Sequence, residues 1–170
     1  MSLSWSVPEL LQHQQEGFAF HEKVLLPLEL FRSDPEVRKI SAVDVKGVVE
    51  FAKGSLTFHL QISGTMVLPC AVTLVNVDYP FDIGTSETFL LDGANDPHPE
   101  EDDVHHVDGE CIDLTPYLVE AILVEKPIRV VSKQAEHADM SGDGWTLMTE
   151  RTAEEQIDPR LEKLKEFFDE

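Results

Sequence analysis

Between Val43 and Leu68 apolar and polar residues alternate with a period of two, which a strand satisfies and a helix does not. Val43, Val45, Val49 and Phe51 alternate around Gly47. Lys53-Gly54 supplies a tight turn. Leu56, Phe58, Leu60 and Ile62 then alternate against Thr57, His59, Gln61 and Ser63. The pattern predicts a hairpin with one face buried and one wet. Gly64 to Leu68 extends the second strand, with Gly64 allowing a bend.

The flanking segments continue the β pattern. Phe18, Phe20, Val24, Leu26, Leu28 and Leu30 fall at even spacing, with Glu22 as the polar exception, and predict a strand that Pro27 places at an edge or a bulge. Ser33-Asp34-Pro35 reads as a loop. Ala71 to Phe81 and Thr85 to Leu91 read as two further strands, the first disturbed at its end by Pro80. Short connections without intervening helices predict an antiparallel meander.

Helices punctuate this sheet. Ser6-Val7-Pro8-Glu9 has the residues of a capping box with proline in the first turn, and Gly17 is a stop. Asp113-Leu114-Thr115-Pro116 opens a middle helix, capped by Asp113 or Thr115, with Leu118, Ala121 and Ile122 on its apolar face and Pro127 at its end. Ile128 to Val131 returns to the sheet, and 132–144 reads as loop. Trp145, Leu147 and Met148 dock an extended piece onto the body. From Asp158-Pro159, residues Leu161, Leu164 and Phe168 share one face of a C-terminal amphipathic helix.

The fold predicted is α+β: an antiparallel sheet, curved or partly closed into a barrel, with short N-terminal, middle and C-terminal helices. One domain spans residues 1–170, with an acidic mobile loop at about 96–110. That loop holds Asp96, Glu100, Glu101, Asp102, Asp103, Asp108 and Glu110 and no lysine or arginine. Such charge density resists packing.

Charge constrains partners. The chain carries 33 acidic against 13 basic residues, a net charge of -20. An acidic surface repels phosphate backbones and attracts basic proteins. Only Arg38, Lys39, Lys46 and Lys53 lie close enough in sequence to form a local basic patch. The N-terminus lacks a basic stretch followed by an apolar run, and no apolar stretch approaches the roughly 20 residues of a membrane span. Two cysteines without such a signal fit a reducing cytosol as separate thiols.

Catalytic and metal chemistry find little support. Cys70 and Cys111 supply two thiolates, short of the four ligands of a structural zinc. His98, His105, His106 and His137 add imidazoles, and His105-His106 sits among carboxylates able to hold a divalent ion loosely, but the stretch reads as a solvated acidic loop. Neither cysteine sits where a thiolate is favoured. No nucleophile elbow, phosphate-binding glycine loop or Rossmann fingerprint is present.

Two motifs carry a resemblance. Gly64-Thr65-Met66-Val67-Leu68-Pro69-Cys70-Ala71-Val72-Thr73-Leu74 is followed downstream by Gly109-Glu110-Cys111-Ile112-Asp113-Leu114-Thr115-Pro116. With Glu120, Pro127 and Ile157-Asp158-Pro159-Arg160-Leu161 in order, the chain resembles the YceD-like family of large ribosomal RNA subunit accumulation proteins. Many members carry Cys-x-x-Cys where this chain has Cys70 and Thr73, and further cysteines where it has Ser141-Gly142-Asp143-Gly144-Trp145. It is similar to the Gram-positive branch, which lacks the zinc cysteines.

The resemblance implies a cytoplasmic bacterial protein tied to large-subunit ribosomal RNA, with no enzymatic activity established. Joined to the charge, it predicts a non-enzymatic accessory factor that binds a basic ribosomal protein or an assembly factor, with no metal or cofactor and no membrane. Glu120, Trp145 and Phe167 are the candidate partner contacts. One alternative is a direct RNA binder using Arg38, Lys39, Lys46 and Lys53. Another is an enzyme of unknown type.

Overall fold

The computed structural model describes residues 3–91, 104–107, 109–135 and 141–146. They fall into two compact units, residues 1–130 and 131–170, described separately.

In the first unit, β1 (Ser4–Ser6) leads into α1 (Val7–Gln12), and the Ser6 hydroxyl accepts the Glu9 backbone N–H at 3.3 Å. After α1, Gly17 adopts φ +80° and donates its N–H to the His13 carbonyl, a conformation that glycine reaches without strain. β2 (Phe18–Val24) follows, then a four-residue 3-10 helix (Leu28–Phe31), β3 (Lys39–Ile40), β4 (Val43–Ala52), β5 (Ser55–Pro69) and β6 (Asn76–Leu90). β7 (Val104–His106), β8 (Cys111–Asp113) and α2 (Thr115–Glu125) complete it.

The main sheet has the order β2-β4-β5-β6-β7, with β3 paired to β5 beyond the end of β4. All these pairings are antiparallel except β6 with β7, which is parallel. The expected α+β class stands; the sheet stays open, with β2 and β7 as its edges, so of the two expected forms, curved or partly closed into a barrel, the closed one does not arise. β1 and β8 make a separate antiparallel pair.

The expected hairpin stands, with Lys53-Gly54 as its two-residue turn and Gly54 at φ +87°. Several boundaries differ. β2 ends at Val24, and Leu28 and Leu30 leave the strand pattern for the 3-10 helix, whose Phe31 is the residue that reaches the core. Residues 76–90 form one strand of 15 residues rather than part of two. At Pro80 only β5 flanks it, because β7 covers residues 88–90 alone, so the missing N–H falls where the sheet has an open side. Val104–His106, inside the expected acidic loop, is a strand, and Val107 beside it is buried. Ile128 is fully exposed and does not rejoin the sheet, although the Val130 carbonyl accepts the Ala71 N–H.

One face of the sheet is the core. Val45, Val49, Phe58, Leu60, Ile62, Phe81 and Phe89 pack in one cluster with Leu3, Leu10, Phe31, Leu114, Leu118 and Ile122. Two glycines make room for rings on this face. A Cβ at Gly47 would lie 2.3 Å from the Phe20 ring, and one at Gly64 would lie 2.8 Å from the Phe81 ring. In each case the ring belongs to the residue directly opposite in the register. Leu114 stands at the N-cap position of α2 without a side-chain cap; of the two candidates, Asp113, just before it, is the one that bonds the helix start, its carboxylate accepting the Thr115 N–H at 2.9 Å.

In the second unit, residues 133–135 form a turn, and β9 (Ser141–Gly142) and β10 (Trp145–Thr146) form a small hairpin. The expected C-terminal helix lies outside the described residues.

Candidate functional site

The exposed face of the main sheet carries the polar half of each alternating strand. Ala19 and His21 come from β2, Lys46 and Val48 from β4, His59 and Gln61 from β5, and Gly84 and Ser86 from β6. They line an open groove of about 590 Å³. Two small residues shape it: Ala19 opposite Val48, and Gly84 opposite Gln61, leave the surface low between the taller side chains.

Cross-strand pairs order this face. His21 Nε2 lies 2.9 Å from both Asp44 carboxylate oxygens, and that hydrogen bond holds Asp44 below the usual carboxylate range. His59 is hydrogen-bonded through Nδ1 to Ser86 Oγ at 2.9 Å and through Nε2 to Glu50 Oε2 at 3.1 Å. The Gln61 amide donates to Asp82. Ser86, His59 and Glu50 thus share the connectivity of a nucleophile, a base and an orienting acid. All three side chains are exposed to water on the open face of the sheet. The arrangement is a cross-strand hydrogen-bond ladder. Alternation in the sequence placed His59 outward, but it carried no register to identify Ser86 as its neighbour.

A second polar cluster lies on the core side. Glu87 is 8% exposed and accepts from Thr85 Oγ1 at 3.3 Å, and its Oε2 lies 2.7 Å from His105 Nε2. His105 packs on Tyr117 of α2, with ring centroids 4.2 Å apart, so this pair anchors β7 between the sheet and the helix. The sequence offered His105 only as a loose imidazole ligand in an acidic loop and did not single out Glu87, because β7 has no local strand signal.

The four basic residues are not gathered. Lys39 stands opposite Val67 and Lys46 opposite Gln61, six residues along β5, or about 20 Å apart at the strand rise. Lys53 occupies the hairpin turn still farther along. The Arg38 guanidinium donates to the Leu74 carbonyl at 2.9 Å and is held against the loop between β5 and β6. Of the partner-contact candidates, Glu120 is exposed on α2 and Trp145 lies in β10. Phe167 lies outside the described residues.

The loop after β5 has its own geometry. Cys70 is fully buried, and the N–H groups of Val72 and Thr73 both approach its Sγ at 3.5 Å. Leu74 closes the loop at φ +59°, donating its N–H to the Cys70 carbonyl. Thr73 Oγ1 is buried with no hydrogen-bond partner among the described residues.

The family model for "Large ribosomal RNA subunit accumulation protein YceD" matches residues 58–168, more than half of the chain. The chain belongs to the YceD family. It is also 37% identical over 169 residues to "Uncharacterized protein YlbN" of Bacillus subtilis (strain 168), a match that covers 98% of this chain and 96% of that protein. No solved structure matches it.

Within the YceD family the Cys70 loop is where many members carry Cys-x-x-Cys. Two N–H groups turned toward one sulfur suit a thiolate that binds metal. The remaining donors here do not fit a structural zinc. Thr73 offers a neutral hydroxyl in place of the second thiolate, and Cys111 is a separate, exposed free thiol. No group of three or more His, Cys, Asp or Glu side chains suited to a metal gathers among the described residues. No helix among them is long and apolar enough to cross a membrane.

Proposed function

We propose that this YceD family member is a non-enzymatic accessory factor in large-subunit ribosomal RNA accumulation, and that it acts by binding a basic protein, either a ribosomal protein or an assembly factor. The observation that carries the proposal is a charge distribution that is uneven along the chain. No lysine or arginine occurs between Lys53 and Lys126, a stretch that builds β5 to β8 and α2. On those elements and the loop before β8, Asp78, Asp82, Glu110, Asp113, Glu120 and Glu125 are all exposed. Such a flank attracts a lysine- and arginine-rich partner over a long range and speeds encounter. It repels phosphate.

The test is affinity capture from cell extract with and without nuclease, followed by binding of the recovered partners in purified form across a salt series. A basic protein that survives nuclease and binds directly, more weakly as salt rises, is the expected result. Direct binding to large-subunit ribosomal RNA fragments at 0.15 M salt, lost in a variant with Arg38, Lys39, Lys46 and Lys53 changed to glutamate, would overturn the proposal in favour of an RNA-binding protein.

A further inference from the structure

We infer that the C-terminal end of α2 and the 3-10 helix together form the docking surface for the partner, and that the surface accepts an amphipathic basic segment of a protein. This rests on the reading of the partner as a basic protein and names the place where it binds. Single exposed aliphatic side chains are ordinary on a soluble protein, whereas a group of them marks an interaction site. Here Leu25, Leu28 and Leu30 are 80%, 48% and 44% exposed, and Val124 and Ile128 are 81% and 101% exposed.

The fold brings these two stretches side by side. α2 packs on the 3-10 helix. Lys126, between Val124 and Ile128 in sequence, places its Nζ 2.7 Å from Asp34 Oδ2 and also bonds Glu36, just past Leu30. The platform is rigid, because Phe31 of the 3-10 helix and Leu118 and Ile122 of α2 are buried in one core cluster. An inflexible apolar surface loses little conformational entropy when it binds.

Charge selects the occupant. Glu29, Glu36, Glu120 and Glu125 are exposed on these segments, and Asp34 is half-buried. The cations there are Arg32, Arg129 and Lys126, and Lys126 is already shared by two carboxylates. The acidic excess disfavours an RNA phosphate backbone. It also disfavours a second copy of this chain, which would set the same carboxylates against one another. A segment with apolar side chains between lysines and arginines satisfies both the aliphatic surface and its rim.

The experiment uses the full chain and, as probe, the proteins extracted from purified large ribosomal subunits, each offered singly at low and physiological salt. The variants are V124S/I128S, E120Q/E125Q and, as a control on the open sheet face, V48S. Melting curves check that each is folded. The expected result is that at least one basic protein binds the wild type and V48S equally. V124S/I128S then binds it about tenfold more weakly or worse, as loss of two apolar anchors implies, and E120Q/E125Q shows a shallower salt dependence. Equal binding by V124S/I128S and wild type would overturn this surface while leaving the basic-partner reading intact. If no basic protein binds the wild type even at low salt, both fall. Self-association of the wild type that V124S/I128S abolishes would assign the surface to a second copy and overturn the inference.

Discussion

Replacing Gly47 by alanine tests the packing on which the sheet depends. Two opposing effects meet at this position. Alanine restricts the unfolded chain and suits a strand better than glycine, which favours the variant by about 0.5–1 kcal/mol. Gly47 is not among the residues with positive φ, so the backbone itself accepts a side chain. Against this, the new Cβ would stand 2.3 and 2.4 Å from two atoms of the Phe20 ring. That ring cannot simply swing aside, since its centroid lies 4.5 Å from Trp5 and 6.1 Å from Phe18. Overpacking of this kind costs about 1–3 kcal/mol, so the clash decides the sign. Gly47→Ala is expected to lower Tm by about 2–4 °C for each kcal/mol lost in a chain of this size. The assay is a double-mutant cycle with Phe20→Ala, using urea unfolding followed by circular dichroism and Trp5 fluorescence. With the ring gone, Gly47→Ala becomes neutral or stabilising, and the coupling between the two sites is about 1–3 kcal/mol. If Gly47→Ala costs the same with and without Phe20, the ring does not account for the glycine and the reasoning fails.

Four further outcomes are expected. Lys126→Met leaves Asp34 and Glu36 without their cation and destabilises by about 1–3 kcal/mol at neutral pH, measured by urea titration. Its pH dependence follows from two shifts. Hydrogen bonding to Lys126 lowers the Asp34 pKa against its partial burial, while burial of the Lys126 amine is outweighed by its bonds to Asp34 and Glu36, which raise the lysine above its usual value. The Asp34 contribution is present above the ordinary carboxylate pKa of about 4 and disappears as pH falls through the lowered value. The Lys126 contribution is present below about 10.4 and disappears as pH rises through the raised one. A stability difference between wild type and variant that stays constant from pH 7 down to pH 2 would contradict this assignment. Thr73→Val removes a buried hydroxyl that has no partner among the described residues and stabilises the chain by about 1 kcal/mol. Thr73→Cys restores the Cys-x-x-Cys spacing without adding the other ligands, so elemental analysis finds no stoichiometric zinc; one bound zinc per chain would show that further donors exist. Asp113→Ala removes the side-chain acceptor of the Thr115 N–H at the start of α2 and costs about 0.5–1.5 kcal/mol in thermal unfolding.

Legibility in the sequence followed the range of the interactions. Strict alternation between Val43 and Leu68 determined the hairpin, because side-chain direction in a strand is local and has a period of two. Ser6, the N-cap of α1, and Asp113, whose carboxylate bonds the Thr115 N–H, marked their helices for the same reason, since such bonds close within three residues. Local rules misled where tertiary packing had another use for the residues. Even spacing continued through Leu26, Leu28 and Leu30, yet the chain turns after Val24 and sends Phe31 into the core. Pro80 read as the end of a strand, yet it lies within one, at a place where the sheet has an open side. β7 gave no signal at all: it pairs in parallel with a strand from before the acidic stretch, and what secures it is His105 against the buried Glu87 and Tyr117.

The same division holds for function. The ordered motifs and the net charge of -20 are properties of the sequence; the motifs led to the family, and the charge to the proposal of a basic partner. Whether Arg38, Lys39, Lys46 and Lys53 meet depends on register, which spreads Lys39 and Lys46 along β5, carries Lys53 to the far turn and ties Arg38 to a neighbouring loop. Whether Leu28 and Val124 belong to one surface depends on α2 crossing the 3-10 helix. Residues about 90 positions apart are joined there by the ion pairs of one lysine. Periodicity reports only which way a side chain points relative to its own backbone. Which side chains become neighbours is decided by pairings between distant segments, and only the folded chain contains them.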